Sequence, residues 1–272
     1  MTLLNISSSP VIIFISIKHT CNGYESEQAG VMAVSNYQLT PIDHLCRREI
    51  ECPDRVYLRQ PRSRKWREYT WKEVAETAKK VTTALITMGI QKGDKVALLS
   101  SNCAEWIIAD LAIMMSGAIS VPLYPTQSKE SISYILEHSE AKVIFIGKLE
   151  ITAELSNIFP EKIKSIGFDY PGVDAKVTWQ SILNDFQPID NPHYPKLDDV
   201  FTIIYTSGTT GNPKGVVHDY RSASFVAENG LKEFNLSKNE RAISYLPLAH
   251  VAERISVEIP SLYLGNTVSF VE

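Results

Sequence analysis

The chain has 272 residues, 44% hydrophobic and 21% charged, which is apolar enough to bury a sizeable core and excludes disorder throughout. Its formal net charge of -4 and pI ≈ 5.9 provide no general attraction for nucleic acid or anionic lipid, both of which select concentrated Lys and Arg. Cys21, Cys46, Cys52 and Cys103 form no CxxC pair and lack a His cluster, which argues against a zinc site and for reduced thiols in a cytoplasmic protein.

Residues 1–31 differ in texture from the rest: a Ser-rich start, an apolar run over 11–17 and a polar stretch over 18–30. A membrane span needs about 20 apolar residues, and a secretory signal needs its positive charge before the apolar run, whereas Lys18 follows it. Residues 1–31 are therefore expected to be a disordered extension or a start-site artefact, with Met32 opening a domain over 32–272.

Thr70 and Glu73 form a capping-box pattern, Val74, Ala78, Val81 and Leu85 recur at helical spacing, and Gly89 is a stop. A strand follows over 96–99. Asn102 with Glu105 then offers a second cap for a helix over 104–115 so nonpolar that it should be buried, with Trp106, Met114 and Met115 in the core. Strands are expected at 119–123 and 143–146 around a helix at 128–137. The alternation continues through segments 151–159, 165–168 and 177–186, and the Pro-bearing stretch 187–199 reads as a connector. A β-rich strand over 201–205, a helix over 219–230 and a strand over 267–271 complete the pattern. This is α/β organisation, a parallel sheet with helices on its faces. The basic cluster Arg62, Arg64, Lys65 and Arg67 reads as a solvated turn between two strands.

The strand over 201–205 runs into Thr206, Ser207, Gly208, Thr209, Thr210, Gly211, Asn212, Pro213, Lys214 and Gly215. Glycines let successive N–H groups converge, four hydroxyls can donate, and Lys214 adds a mobile positive charge, a composition suited to polyphosphate. An ordinary Gly/Ser turn explains the glycines but not the density of hydroxyls ending in Lys214. A Walker A loop needs Gly before Lys and Ser or Thr after it; here Pro213 precedes and Gly215 follows.

The run YTSGTTGNPKGV over 205–216 closely resembles the phosphate-binding signature of the adenylate-forming (AMP-binding) superfamily. Segments 66–71, 89–90, 93–96 and 101–106 resemble the opening of these ligases, and VPLYPT at 121–126 and SYLPLAHVAER at 244–254 resemble the long-chain acyl-CoA synthetase branch. The resemblance covers about residues 36–272. It implies the layered parallel-sheet subdomains of the large N-terminal domain of such enzymes, incomplete at the C-terminus. It implies ATP, Mg²⁺ and coenzyme A, with Thr206, Ser207, Gly208, Thr209, Thr210, Gly211 and Lys214 on the β- and γ-phosphates and Thr206 facing Mg²⁺. His250, by itself a core or turn histidine, becomes by resemblance a candidate lining the acyl and CoA tunnel, and Glu253 and Arg254 become structural contacts nearby. Where Ala252 stands, the family often has an aromatic.

The implied reaction activates a long-chain fatty acid to acyl-adenylate and then to acyl-CoA. The adenine site, the catalytic lysine and the C-terminal lid domain are expected beyond Glu272, so this polypeptide is expected to hold the phosphate clamp without completing the reaction. A noncatalytic acyl- or protein-binding homologue and another adenylate-forming ligase are the alternatives. The implied partners are small-molecule substrates, with no nucleic acid, at most peripheral membrane association and scope for a homo-oligomer.

Overall fold

The computed structural model describes residues 39–149, 159–160, 162–206, 212–234, 236–237 and 240–271. The N-terminal extension, all but the last residue of the segment expected at 151–159, and loop residues 207–211 lie outside the described residues.

Helix α1 (Pro41–Glu51) opens on a capping box that the sequence reading passed over: the Asp43 carboxylate accepts from Thr40 N at 2.8 Å, the Thr40 hydroxyl accepts from Asp43 N, and Pro41 occupies the first turn. Strands β1 (Val56–Arg62) and β2 (Lys65–Thr70) form an antiparallel hairpin that turns at Ser63 and Arg64, both at positive φ. Helix α2 (Trp71–Thr87) starts where expected, with Thr70 accepting from Glu73 N at 3.2 Å. Only half of that expected box forms, because the Glu73 carboxylate turns instead to Arg67. Gly89, at φ 91°, ends the helix.

Strand β3 (Lys95–Leu99) leads to α3 (Ala104–Met115), every residue of which is buried. Its N-cap is Cys103, not Asn102, whose side chain is committed elsewhere. Then come β4 (Ile119–Leu123), α4 (Lys129–His138) capped by Ser128, β5 (Ala141–Ile146), β6 (Lys164–Gly167), β7 (Val177–Thr178) and α5 (Trp179–Asp185). The stretch 187–199 carries no helix or strand and is strapped to the helices. Its Ile189 N donates to Lys79 O, Gln187 O accepts from the Thr83 hydroxyl, and His193 N donates to Met115 O at 2.7 Å.

Strand β8 (Val200–Thr206) is followed by β9 (Lys214–Asp219), α6 (Tyr220–Glu233), β10 (Arg241–Ser244), α7 (Val251–Glu253), a π-helical turn (Arg254–Glu258), α8 (Ile259–Leu264) and β11 (Thr267–Phe270). Two sheets result, one ordered β7-β6-β5-β3-β4-β8-β9 and one ordered β10-β11-β1-β2. The larger is parallel except for β9, and the smaller combines parallel and antiparallel pairs. Successive β3 residues alternate between two cores: Val96 and Leu98 join the α2–α3 core, while Ala97 and Leu99 join the α4 core with Ile132 and Ile135. The α2–α3 core also takes in Tyr57, Leu58, Val268 and Phe270 of the smaller sheet, so α3 is common to both sheets.

Candidate nucleotide and acyl site

The carboxyl ends of parallel strands gather at one edge of an α/β sheet, and a crevice opens where successive strands depart in opposite directions. Here β3 is flanked by β4 on one side and β5 on the other. The residues after them, Ser101 and Asn102, Pro125 and Thr126, Lys148 and Leu149, line one wall of a cleft of about 360 Å³. The other wall comes from the ends of β10 and β11, with Tyr245, Pro247 and Val271.

The glycine-rich loop leaves the sheet at this same edge, from the carboxyl end of β8. Beyond Ser120↔Thr202 no further register pair joins β4 to β8, and Pro122, which has no N–H, stands in β4 past that point. The end of β8 instead pairs with β9, whose first two residues, Lys214 and Gly215, the sequence reading places in the loop. Register sets Thr206 opposite Lys214, both exposed, so the hydroxyl and the ammonium stem from one face of the hairpin. Tyr205 is buried, its hydroxyl 2.8 Å from His138 Nδ1. Gly215 lies across from it because a Cβ there would meet Ile203 Cγ2 at 2.8 Å and the Tyr205 ring at 3.2 Å. Thus the two loop ends are held by packing. Ser207, Gly208, Thr209, Thr210 and Gly211 lie outside the described residues.

His250 is neither in the core nor among the residues lining the cleft. It is the exposed N-cap of α7, where Nδ1 accepts from Ala252 N at 3.0 Å, and its ring sits edge-on to Tyr124, centroids 6.2 Å apart. No group of three His, Cys, Asp or Glu able to hold a metal exists among the described residues. No described helix is long and apolar enough to cross a membrane.

Residues 47–272 match the family described as AMP-binding enzyme. The chain belongs to that family. This AMP-binding enzyme is 32% identical over 235 residues to the long-chain-fatty-acid–CoA ligase FadD15 of Mycobacterium bovis (strain ATCC BAA-935 / AF2122/97), covering 82% of this chain and 38% of that one. It is also 32% identical over 220 residues to fatty acyl-CoA synthetase A of Dictyostelium discoideum, covering 76% of this chain and 32% of that one. The chain thus spans about a third of the length of these curated relatives. Its fold matches that of the anthranilate CoA ligase AuaEII in complex with anthranoyl-AMP, with a TM-score of 0.76 and 22% identity, covering 86% of this chain and 45% of that chain. The layered α/β architecture is that of adenylate-forming enzymes.

Two features go beyond the sequence reading, which gives Glu253 and Arg254 only as structural contacts near the site. Asn102 spans from the end of β3 to the segment after β10: its Nδ2 donates to Ser244 Oγ at 2.8 Å and Leu246 O at 2.6 Å, and its Oδ1 accepts from Leu248 N at 2.9 Å. On the other side of that segment the buried Glu253 carboxylate accepts from Tyr245 N at 3.1 Å, and burial raises its pKa to about 7. Behind the site, Arg254 is buried between two carboxylates, Asp110 of α3 and Glu258 at 3.0 Å, and donates to Thr202 Oγ1 of β8 at 2.8 Å. Burial pushes the Glu258 pKa well up, against the opposing pull of the Arg254 guanidinium. The signal for the second feature was present: Glu105 and Asp110 are acidic residues in a helix with no exposed face. Glu105 is satisfied by Arg62, which is stacked over Tyr170 at 4.0 Å and is not part of a solvated turn.

Proposed function

We propose that this chain carries the phosphate-binding portion of an ATP-dependent, AMP-forming long-chain fatty acid:CoA ligase. The observation that supports this reading best is the hairpin that sets Thr206 opposite Lys214 at the strand edge that also opens the cleft. In the reaction, a carboxylate oxygen attacks the α-phosphorus of ATP and the bond to the bridging oxygen of pyrophosphate breaks. The thiolate of coenzyme A then attacks the acyl carbonyl and AMP leaves. Lys214 and the hydroxyls of Thr206, Ser207, Thr209 and Thr210 hold the β- and γ-phosphates, with Gly208 and Gly211 letting the backbone N–H groups converge. Mg²⁺ takes most of its oxygens from phosphate and water, so the Thr206 hydroxyl would be a protein oxygen added to a largely phosphate and water shell. The mixed cleft beside the loop suits the thioester-forming end of the substrates.

Calorimetric titration of the full chain with MgATP tests the phosphate site without requiring turnover. One charge-assisted contact is worth about 1.5–3 kcal/mol, so Lys214→Ala is expected to weaken binding roughly 10- to 150-fold. Equal affinity in the two proteins overturns the assignment. Formation of AMP and acyl-CoA from carboxylic acids of graded length then tests the substrate class.

A further inference from the structure

The segment over 244–253 closes on itself. His250 caps α7 through Ala252 N; α7 carries Glu253; and Glu253 reaches back eight residues to Tyr245 N at 3.1 Å. Asn102 grips the same segment from the β3 side at Ser244, Leu246 and Leu248. Ser244 lies between the two grips: its Oγ accepts from Asn102 Nδ2, and its hydroxyl is within hydrogen-bonding reach of Glu253. Glu253 is 1% exposed and Ser244 is fully buried, so water cannot replace these bonds without opening the core. Tyr245 and Pro247 from this segment face the cleft.

We propose that Asn102 and Glu253 are a pair of positioning residues that clamp the cleft wall over 244–248 from both sides and thereby fix the ring of His250. The chemistry is specific to these residue types. Asn102 must both donate, to Ser244 and Leu246, and accept, from Leu248, which a primary amide does and a carboxylate does not. Glu253 acts as an acceptor, from Tyr245 N and also toward the Ser244 hydroxyl and Leu246 N, a role that an amide oxygen can also fill. The clamp holds His250 with Nδ1 as acceptor, so the neutral ring carries its proton on Nε2. Describing the clamped wall as part of a ligase site rests on the function proposed above, whereas the clamp itself does not.

The experiment is side-chain nitrogen NMR of His250 in the labelled full chain, paired with amide hydrogen exchange over 244–253. The parent is expected to show one tautomer, protonated on Nε2. In Asn102→Ala and Glu253→Ala the two tautomers mix, and exchange at Tyr245 and Leu248 accelerates by at least about tenfold while β3 and α3 keep the parent's rates. Glu253→Gln restores the parent's signature and Asn102→Asp does not. Should Glu253→Ala fail to fold, Asn102→Ala and the Gln and Asp variants decide the matter. A parent-like His250 tautomer and parent-like exchange in Asn102→Ala overturn the clamp. Failure of MgATP to bind with the tautomer pattern intact sinks the ligase reading and leaves the clamp standing.

Discussion

Glu253 shows how far a residue's role departs from its type. An ordinary Glu titrates near 4.5, and burial raises this one to about 7, so in the folded chain the protonated form persists up to near neutral pH. The sign follows from linkage: the folded-state pKa lies above the unfolded one, so the stability Glu253 contributes is fully present below about pH 4.5 and is lost as pH rises through about 7. Glu253→Gln keeps an acceptor for Tyr245 N and removes the titration. The stability of Glu253→Gln relative to the parent should therefore grow between pH 5 and pH 8, by up to about 3 kcal/mol given about 1.4 kcal/mol per pKa unit. Urea unfolding of both proteins at the two pH values checks this; a pH-independent difference would refute it. Nothing in the order of residues foretold such a Glu. The run over 244–254 has apolar residues before His250 and an acid–base pair after it, and only the fold turns Glu253 inward and away from Arg254.

At the scale of elements, what periodicity and capping encode was legible and what depends on pairing was not. Helix α3 and strand β4 coincide with their expected bounds, because a predominantly apolar run marked off by Ser and Gly is recognisable from its composition alone. The capping box at Thr40 was equally legible in principle, yet α1 went unmarked. Strand β9 gives no such signal: it is exposed along most of its length, and among the described residues its strand partner is β8. Its identity lies in one residue, Gly215, packed against Ile203 and the Tyr205 ring. Gly215→Ala would force a Cβ to within 2.8 Å of Ile203 Cγ2. Overpacking of this kind costs about 1–3 kcal/mol. The expected outcome is a loss of that order in urea, together with weaker MgATP binding because Thr206 and Lys214 no longer hold their register. Parent-like stability and affinity would mean that the hairpin does not set the loop ends.

At the scale of the whole molecule, two sheets depend on one helix, and a single guanidinium ties them together. Arg254 comes from the π-helical turn that follows β10 of the smaller sheet, Asp110 from the middle of α3, and Thr202 from β8 of the larger sheet, so a turn, a helix and a strand converge on one side chain with 1% of its surface exposed. The Arg254 guanidinium also lies over the Phe201 ring at 4.2 Å. A buried ion pair adds little net stability against a well-packed apolar replacement, but removal of one member strands the rest: about 3–5 kcal/mol is lost when a buried charge is left unpaired. Arg254→Met would leave the Asp110 and Glu258 carboxyls buried without the guanidinium that pairs with both. That variant should lose about 3–5 kcal/mol, a large part of the about 5–15 kcal/mol that holds a domain folded. Adding Asp110→Leu and Glu258→Met to it should recover most of the loss, since the three groups are then removed together. Trp71 packs near the smaller sheet and Trp106 lies on α3, so tryptophan fluorescence and far-ultraviolet circular dichroism follow both sides of the shared core. Coincident urea transitions by both probes, displaced together in Arg254→Met, are expected if the sheets unfold as one body. Two separated transitions in the parent, or a triple variant no more stable than Arg254→Met, would show that the sheets are held by apolar packing alone and that Arg254 does not tie them.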